Sequence, residues 1–140
     1  MYIDKSLELS SSQAVTASAA STNYIDLGSA RKMGVGEVKY IHFTVDTTTV
    51  SAGATTMDIE VEVDDNTSFS SAKVVASKLA IPKADLVAGY QIYLPIPIEA
   101  DERYLRINYT VDTANFSAGA FSAGVVDKIQ ENTVYPDGIA

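Results

Sequence analysis

From Arg103 to Val111 the chain reads R-Y-L-R-I-N-Y-T-V. Leu105, Ile107, Tyr109 and Val111 fall on one side of an extended backbone, and Tyr104, Arg106, Asn108 and Thr110 on the other. Strand side chains point alternately to the two faces, so this spacing sets an apolar face on a core and a polar face elsewhere. Turn formers follow at Asp112 to Asn115. A second extended run, Phe116 to Val126, is built from small residues. Gly119 and Gly124 lack a Cβ and suit a bulge or the close approach of another backbone. The stretch is expected to form an antiparallel hairpin in the middle of a β-domain. It contains no obvious nucleophile, base or metal cluster.

The clearest alternation lies upstream. Met57, Ile59, Val61 and Val63 share one face, and Asp58, Glu60, Glu62 and Asp64 the other. The acids are expected to form a solvated face that discourages edge-to-edge association. A row of carboxylates could also hold Ca²⁺ or meet a basic surface. Asp64-Asp65-Asn66 lacks the alternate ligand spacing, bend glycine and closing Glu of an EF-hand loop, so no metal is expected there. In the connection that follows, Phe69 is a candidate anchor onto the core.

Val38 to Val45 is bulky on both faces, as a central covered strand would be. It holds His42, the one histidine of the chain, expected to be packed and hydrogen-bonded. No G-x-S-x-G elbow accompanies it. Tyr24 to Gly28 reads as a short strand ending at a glycine, and a loop follows. Gly34 and Gly36 in that loop lack the third glycine and the strand–turn–helix setting of a dinucleotide site. Thr47 to Thr56 reads as a loop turning at Gly53. Lys73 to Ile81 reads as a strand or a short helix, ended by Pro82. Tyr90, Ile92, Leu94, Ile96 and Ile98 share a face, while Pro95 and Pro97 mark an edge strand or a switch between sheets. Several short strands between turn signals indicate an all-β, antiparallel, jelly-roll-like sandwich of about eight strands.

A chain of 140 residues forms one domain, 1–140, by default, and buries roughly 70% of its unfolded surface without staples. No cysteine is present, which excludes disulfides and thiolate metal sites. The net charge of −8 disfavours nucleic acid, which needs basic patches to displace counterions. No window approaches the length of a membrane helix, and the N-terminus lacks a signal-peptide core. A soluble protein made in a cytoplasm is expected. Residues 1–23 read as a first strand with a loop, or as an arm reaching a neighbour. Residues 129–140 read as a second arm, in which Ile129, Val134, Tyr135 and Ile139 would pack on a partner or fray.

Three segments carry a family resemblance: R-Y-L-R-I-N-Y-T-V, F-S-A-G-A-F-S-A-G-V-V and the Y-P-D-G of the tail. With M-Y-I-D at the start and D-D-N-x-x-F at Asp64 to Phe69, they are similar to the capsid cement (decoration) proteins of short-tailed bacteriophages. The resemblance covers most of the chain and is strongest from Asp101 to Asp127. It implies a jelly-roll-like homodimer on the outer surface of an icosahedral virion, made in the host bacterial cytoplasm. Its partners would be itself and the major capsid protein, with no nucleic acid and no membrane. It implies binding in place of catalysis, with no catalytic residues, no metal and no cofactor. Exposed aromatics and termini are the usual anchors of such contacts; Tyr2, Tyr24, Tyr135 and Ile139 are the candidates. A carbohydrate- or receptor-binding sandwich is the alternative, weakened by the absence of tryptophan.

Overall fold

The computed structural model describes residues 4–33, 35–53 and 55–128. Among the described residues nine strands run in chain order: β1 (Glu8–Ala14), β2 (Ala19–Ala20), β3 (Ile25–Asp26), β4 (Tyr40–Val50), β5 (Thr56–Asp64), β6 (Lys73–Pro82), β7 (Gln91–Pro95), β8 (Tyr104–Asp112) and β9 (Ala118–Val126). They make two antiparallel sheets. The first has the order β1-β9-β4-β7. The second has the order β2-β8-β5-β6, with β3 also pairing β8. Because β2 and β3 occupy one edge of β8, they act as a single interrupted strand. The chain thus forms two four-stranded layers whose successive strands largely alternate between sheets, the plan of a jelly roll.

The expected hairpin of β8 and β9 does not form. β8 pairs with β5, β2 and β3, and β9 pairs with β1 and β4. Their connection crosses from one sheet to the other. Thr113 takes φ 73 at the turn, Phe116 is buried, and the Ser117 N–H donates to Val50 O at 2.7 Å. The alternation that identified each strand is equally satisfied by pairing or by facing, so it did not specify the partner. β4 also runs on through Thr47, Thr48 and Thr49 to Val50, residues read as loop from sequence. β-Branched threonines fit a pleated surface, and Thr49 lies against β9.

The core sits between the sheets. Ile41, Phe43 and Val45 of β4 and Phe121, Ala123 and Val125 of β9 meet Met57, Ile59, Val61 and Val63 of β5 and Leu105, Ile107 and Tyr109 of β8. Phe43, Tyr109 and Phe121 form an aromatic trio with ring centroids 5.2–6.0 Å apart. Tyr109 is fully buried, and desolvation pushes its phenol well above the usual range. Its hydroxyl lies 3.0 Å from Ser10 Oγ. Ser10 gives its own proton to Gln13 Oε1 at 2.8 Å, which leaves Tyr109 as the donor to Ser10.

Among the described residues all four sheet edges are blunted. β1 bulges on both sides of Ser10, with Ser12 at φ 42. β7 is short and ends at Pro95. β2 and β3 are two residues each. β6 is ten residues long but has two register shifts. At one of them Ala80 takes φ 54, and its N–H donates to Asp58 Oδ1 at 2.7 Å. Bulges, proline and short length are the devices by which sheets resist adding a foreign strand.

The small-residue run of β9 has a specific packing reason. A Cβ on Gly119 (φ 152) would stand 3.0 Å from Thr49 Cγ2. Gly119→Ala is expected to destabilise the protein by about 1–3 kcal/mol, as overpacking does. Adding Thr49→Ser, which removes that methyl and keeps the hydroxyl, should recover part of the loss; urea denaturation of the two variants checks both.

Candidate docking surface

Of the four residues singled out from sequence, Tyr24 falls in the described structure. Tyr2, Tyr135 and Ile139 lie outside the described residues. Tyr24 precedes β3 at the edge of the second sheet and is 48% exposed. Its ring stands edge-on to Tyr104 (centroids 5.5 Å) and Phe69 (6.2 Å). Phe69 is buried, as the anchor reading requires, and sits at φ 51 in the β5–β6 connection. Arg106 lies over the Phe69 ring at 4.2 Å, and Arg103 over the Tyr104 ring at 5.0 Å. The start of β8 and the β5–β6 loop thus hold a half-exposed aromatic in a fixed orientation. An open cleft of about 490 Å³ adjoins it, lined by Lys5, Ser6, Glu8, Thr22, Asn23 and Tyr24.

The acidic face of β5 is not a uniformly solvated one. Register sets Asp64 opposite Tyr104, Glu62 opposite Arg106, Glu60 opposite Asn108 and Asp58 opposite Thr110. Glu62 is buried and accepts a 2.8 Å bond from Arg106 Nε. Asp64 is also buried and accepts from the Ser71 N–H at 2.9 Å and from the Asn66 N–H at 3.2 Å. Burial raises the Asp64 carboxyl, but hydrogen bonds from Ser71 and Asp65 outweigh it and hold the group below its usual range. Asp58 caps the Ala80 bulge. The row therefore organises its own sheet and the adjoining loop. The reason lies in neighbours remote in sequence, which the alternating pattern does not report.

Two ion pairs fasten the rim of this surface. Arg103 grips Asp26 through Nε (2.8 Å) and a terminal nitrogen (3.0 Å), holding its carboxyl below the usual range. Lys73 meets Asp101 at 2.8 Å. Asp64, Asp65 and Glu102 bring carboxylate oxygens within 4.8 Å of one another, an arrangement that the linear spacing of Asp64-Asp65-Asn66 did not reveal. A cation could be accepted there, but the hydrogen bonds to Asp64 already satisfy its buried charge.

His42 lies on the other sheet. It is fully buried, with Nε2 3.1 Å from Gln91 Oε1 and its ring tilted on Tyr93 at 4.6 Å. Nδ1 has no hydrogen-bond partner. The packed, hydrogen-bonded reading of this residue agrees with its place in the structure.

The fold defines the class: an all-β jelly-roll sandwich. The chain belongs to the Bbp16 family, whose model matches residues 9–125, from β1 through β9. The family name suggests a phage-related protein. No curated protein matches the chain.

Two measurements test the electrostatics. Burial holds the His42 imidazole below the ordinary histidine value of about 6.5, so the unfolded chain binds the proton more readily. Stability is expected to be full above about pH 6.5 and to fall as pH drops below it; His42→Gln should flatten that slope in pH-dependent thermal melts. Arg106→Met leaves Glu62 buried without its cation and is expected to cost about 1–3 kcal/mol. The double variant with Glu62→Gln should recover much of it, giving a coupling that a double-mutant cycle reads directly.

Proposed function

We propose that this protein is a phage capsid cement (decoration) protein. It binds the outside of an icosahedral head as a homodimer and stabilises contacts between major capsid protein subunits. The reading joins the resemblance of the strand and tail segments to a Bbp16-family fold. The observation that carries it is Tyr24, a half-exposed aromatic braced by Phe69 and Tyr104. A pre-ordered aromatic loses little rotamer freedom on docking, which is why such residues dominate binding energy at interfaces. Blunted sheet edges suit the same role, since contacts then run through side chains and copies do not polymerise by strand addition. The mechanism is mass action: a ligand bound only to the mature shell raises that shell's stability. A dimer gripping two capsomers gains further from effective concentration.

The polar cleft beside Tyr24 favours one second reading, a carbohydrate- or receptor-binding module. Glycan binding by the isolated protein, without affinity for heads, would select it.

Added to expanded heads that lack it, the purified dimer should co-sediment and raise their resistance to heat or osmotic shock. A strictly monomeric protein that never co-sediments would overturn the proposal. Tyr24→Ala is expected to weaken head binding about tenfold or more, the loss of a hot-spot side chain, with an unchanged fold by circular dichroism.

A further inference from the structure

Glu8 and Lys5 line the cleft beside Tyr24 as an unequal ion pair. The Glu8 side chain is 17% exposed and that of Lys5 82%. The acid is thus largely withdrawn from water, while its cation sits in solvent on a long flexible stem. A pair of that kind is worth little, because solvent screens it and the long side chain must be ordered to hold it. A cation that also packed against the wall of the cleft would serve the carboxylate better.

The walls are held in place by hydrogen bonds. Asp4 caps the 3-10 turn Lys5–Leu7, accepting from the Ser6 N–H at 2.9 Å. The Asn23 N–H donates to Leu9 O at 2.9 Å, Asn23 Nδ2 to Glu8 O at 3.3 Å, and the Thr22 N–H to Gln13 Oε1 at 2.9 Å. These bonds also engage the donors of the lining. Both of its side-chain nitrogens, Lys5 Nζ and Asn23 Nδ2, are occupied within the chain. By contrast, Glu8 Oε2, Asn23 Oδ1 and Thr22 Oγ1 have no hydrogen-bond partner among the described residues. The cleft therefore offers a ligand acceptors and the half-exposed Tyr24 ring. A guanidinium carries five donors and no acceptor, and its plane stacks on aromatic faces. A sugar hydroxyl brings acceptor lone pairs with every donor, and an anion would be repelled by Glu8.

We propose that this cleft seats an arginine side chain of a partner protein, stacked on Tyr24 and bound to Glu8 in place of Lys5. The net charge of −8 draws a cationic surface in the same sense. The inference rests on the docking reading of Tyr24 proposed above and names the group that a partner brings to it. Its test needs the isolated protein alone, so its failure is distinct from a failure to bind heads.

The full-length protein, labelled with ¹⁵N, is titrated with a capped glycyl-arginyl-glycine peptide and followed by amide chemical shifts. Matched peptides carry lysine, or citrulline, the neutral isostere of arginine. The arginine peptide is expected to shift the amides of Ser6, Glu8, Thr22, Asn23 and Tyr24, and to bind about fivefold more tightly than the citrulline peptide, as one cation–π or charge-assisted contact allows. It should also bind more tightly than the lysine peptide, whose ammonium lacks the planar fork. Glu8→Gln should bring arginine binding down to the citrulline level with the fold unchanged by circular dichroism, and Tyr24→Leu should weaken it several-fold. Lys5→Ala, which removes the resident cation, should tighten it. Equal binding of the three peptides, shifts confined to other residues, or undiminished binding by Glu8→Gln overturns the proposal. Shifts at these residues with a neutral hexose and none with arginine would overturn it as well, assigning the cleft to carbohydrate.

Discussion

Burial of the Tyr109 hydroxyl is the constraint on which much of the sandwich depends. The ring belongs to an aromatic trio with Phe43 and Phe121, drawn from three strands and both sheets. An unpaired hydroxyl at full burial would cost a large part of what the ring gains. Ser10 of β1 supplies the partner, which ties the edge of one sheet to the centre of the other. Gln13 extends the link, donating to Ala20 O and accepting from the Thr22 N–H, both at 2.9 Å. The first strand is thereby bound to β9 by its ladder and to β2 by side chains. On the outer side of the same sheet, Ser12 and Ser122 both donate to Asp46, joining β1, β9 and β4.

Polar side chains elsewhere follow the same logic. Arg106 is held between the Glu62 carboxylate and the Phe69 ring, so one guanidinium serves a near-buried acid and an aromatic anchor together. That anchor braces the half-exposed ring of Tyr24. Charge, aromatic packing and presentation therefore form one chain of cause. Asp64 secures the loop that carries Phe69 through its bonds to Ser71 and Asn66. These bonds fix the loop and the strand start against which the Tyr24 ring rests.

Much of this was legible in the residues. The strands at Tyr104–Asp112 and Thr56–Asp64 are plain because one side of each packs on the core, Val111 only in part, and a period of two then has to appear. Phe69 stood out as an isolated aromatic in a polar connection, and Pro95 marked an edge. The burial of Glu62 and Asp64 was not legible, because each depends on a residue far away in sequence, or on a loop folding back. The extension of β4 through Thr47–Val50 is not legible, because a threonine run satisfies strand and loop composition equally.

The sequence by itself determined the class of fold: alternating strands, turn residues between them and no thiol or long helix to build otherwise. It also determined which face of each strand is apolar. Only the tertiary structure decided partnership. The pattern of Phe116 to Val126 suits the second arm of a hairpin, yet the segment lies in the opposite sheet between β1 and β4. Side-chain alternation records which face meets the core, and a paired strand and a facing strand bury the same face. The choice between them is made by long-range packing: the fit of Gly119 against Thr49, and of Phe121 against Phe43 and Tyr109.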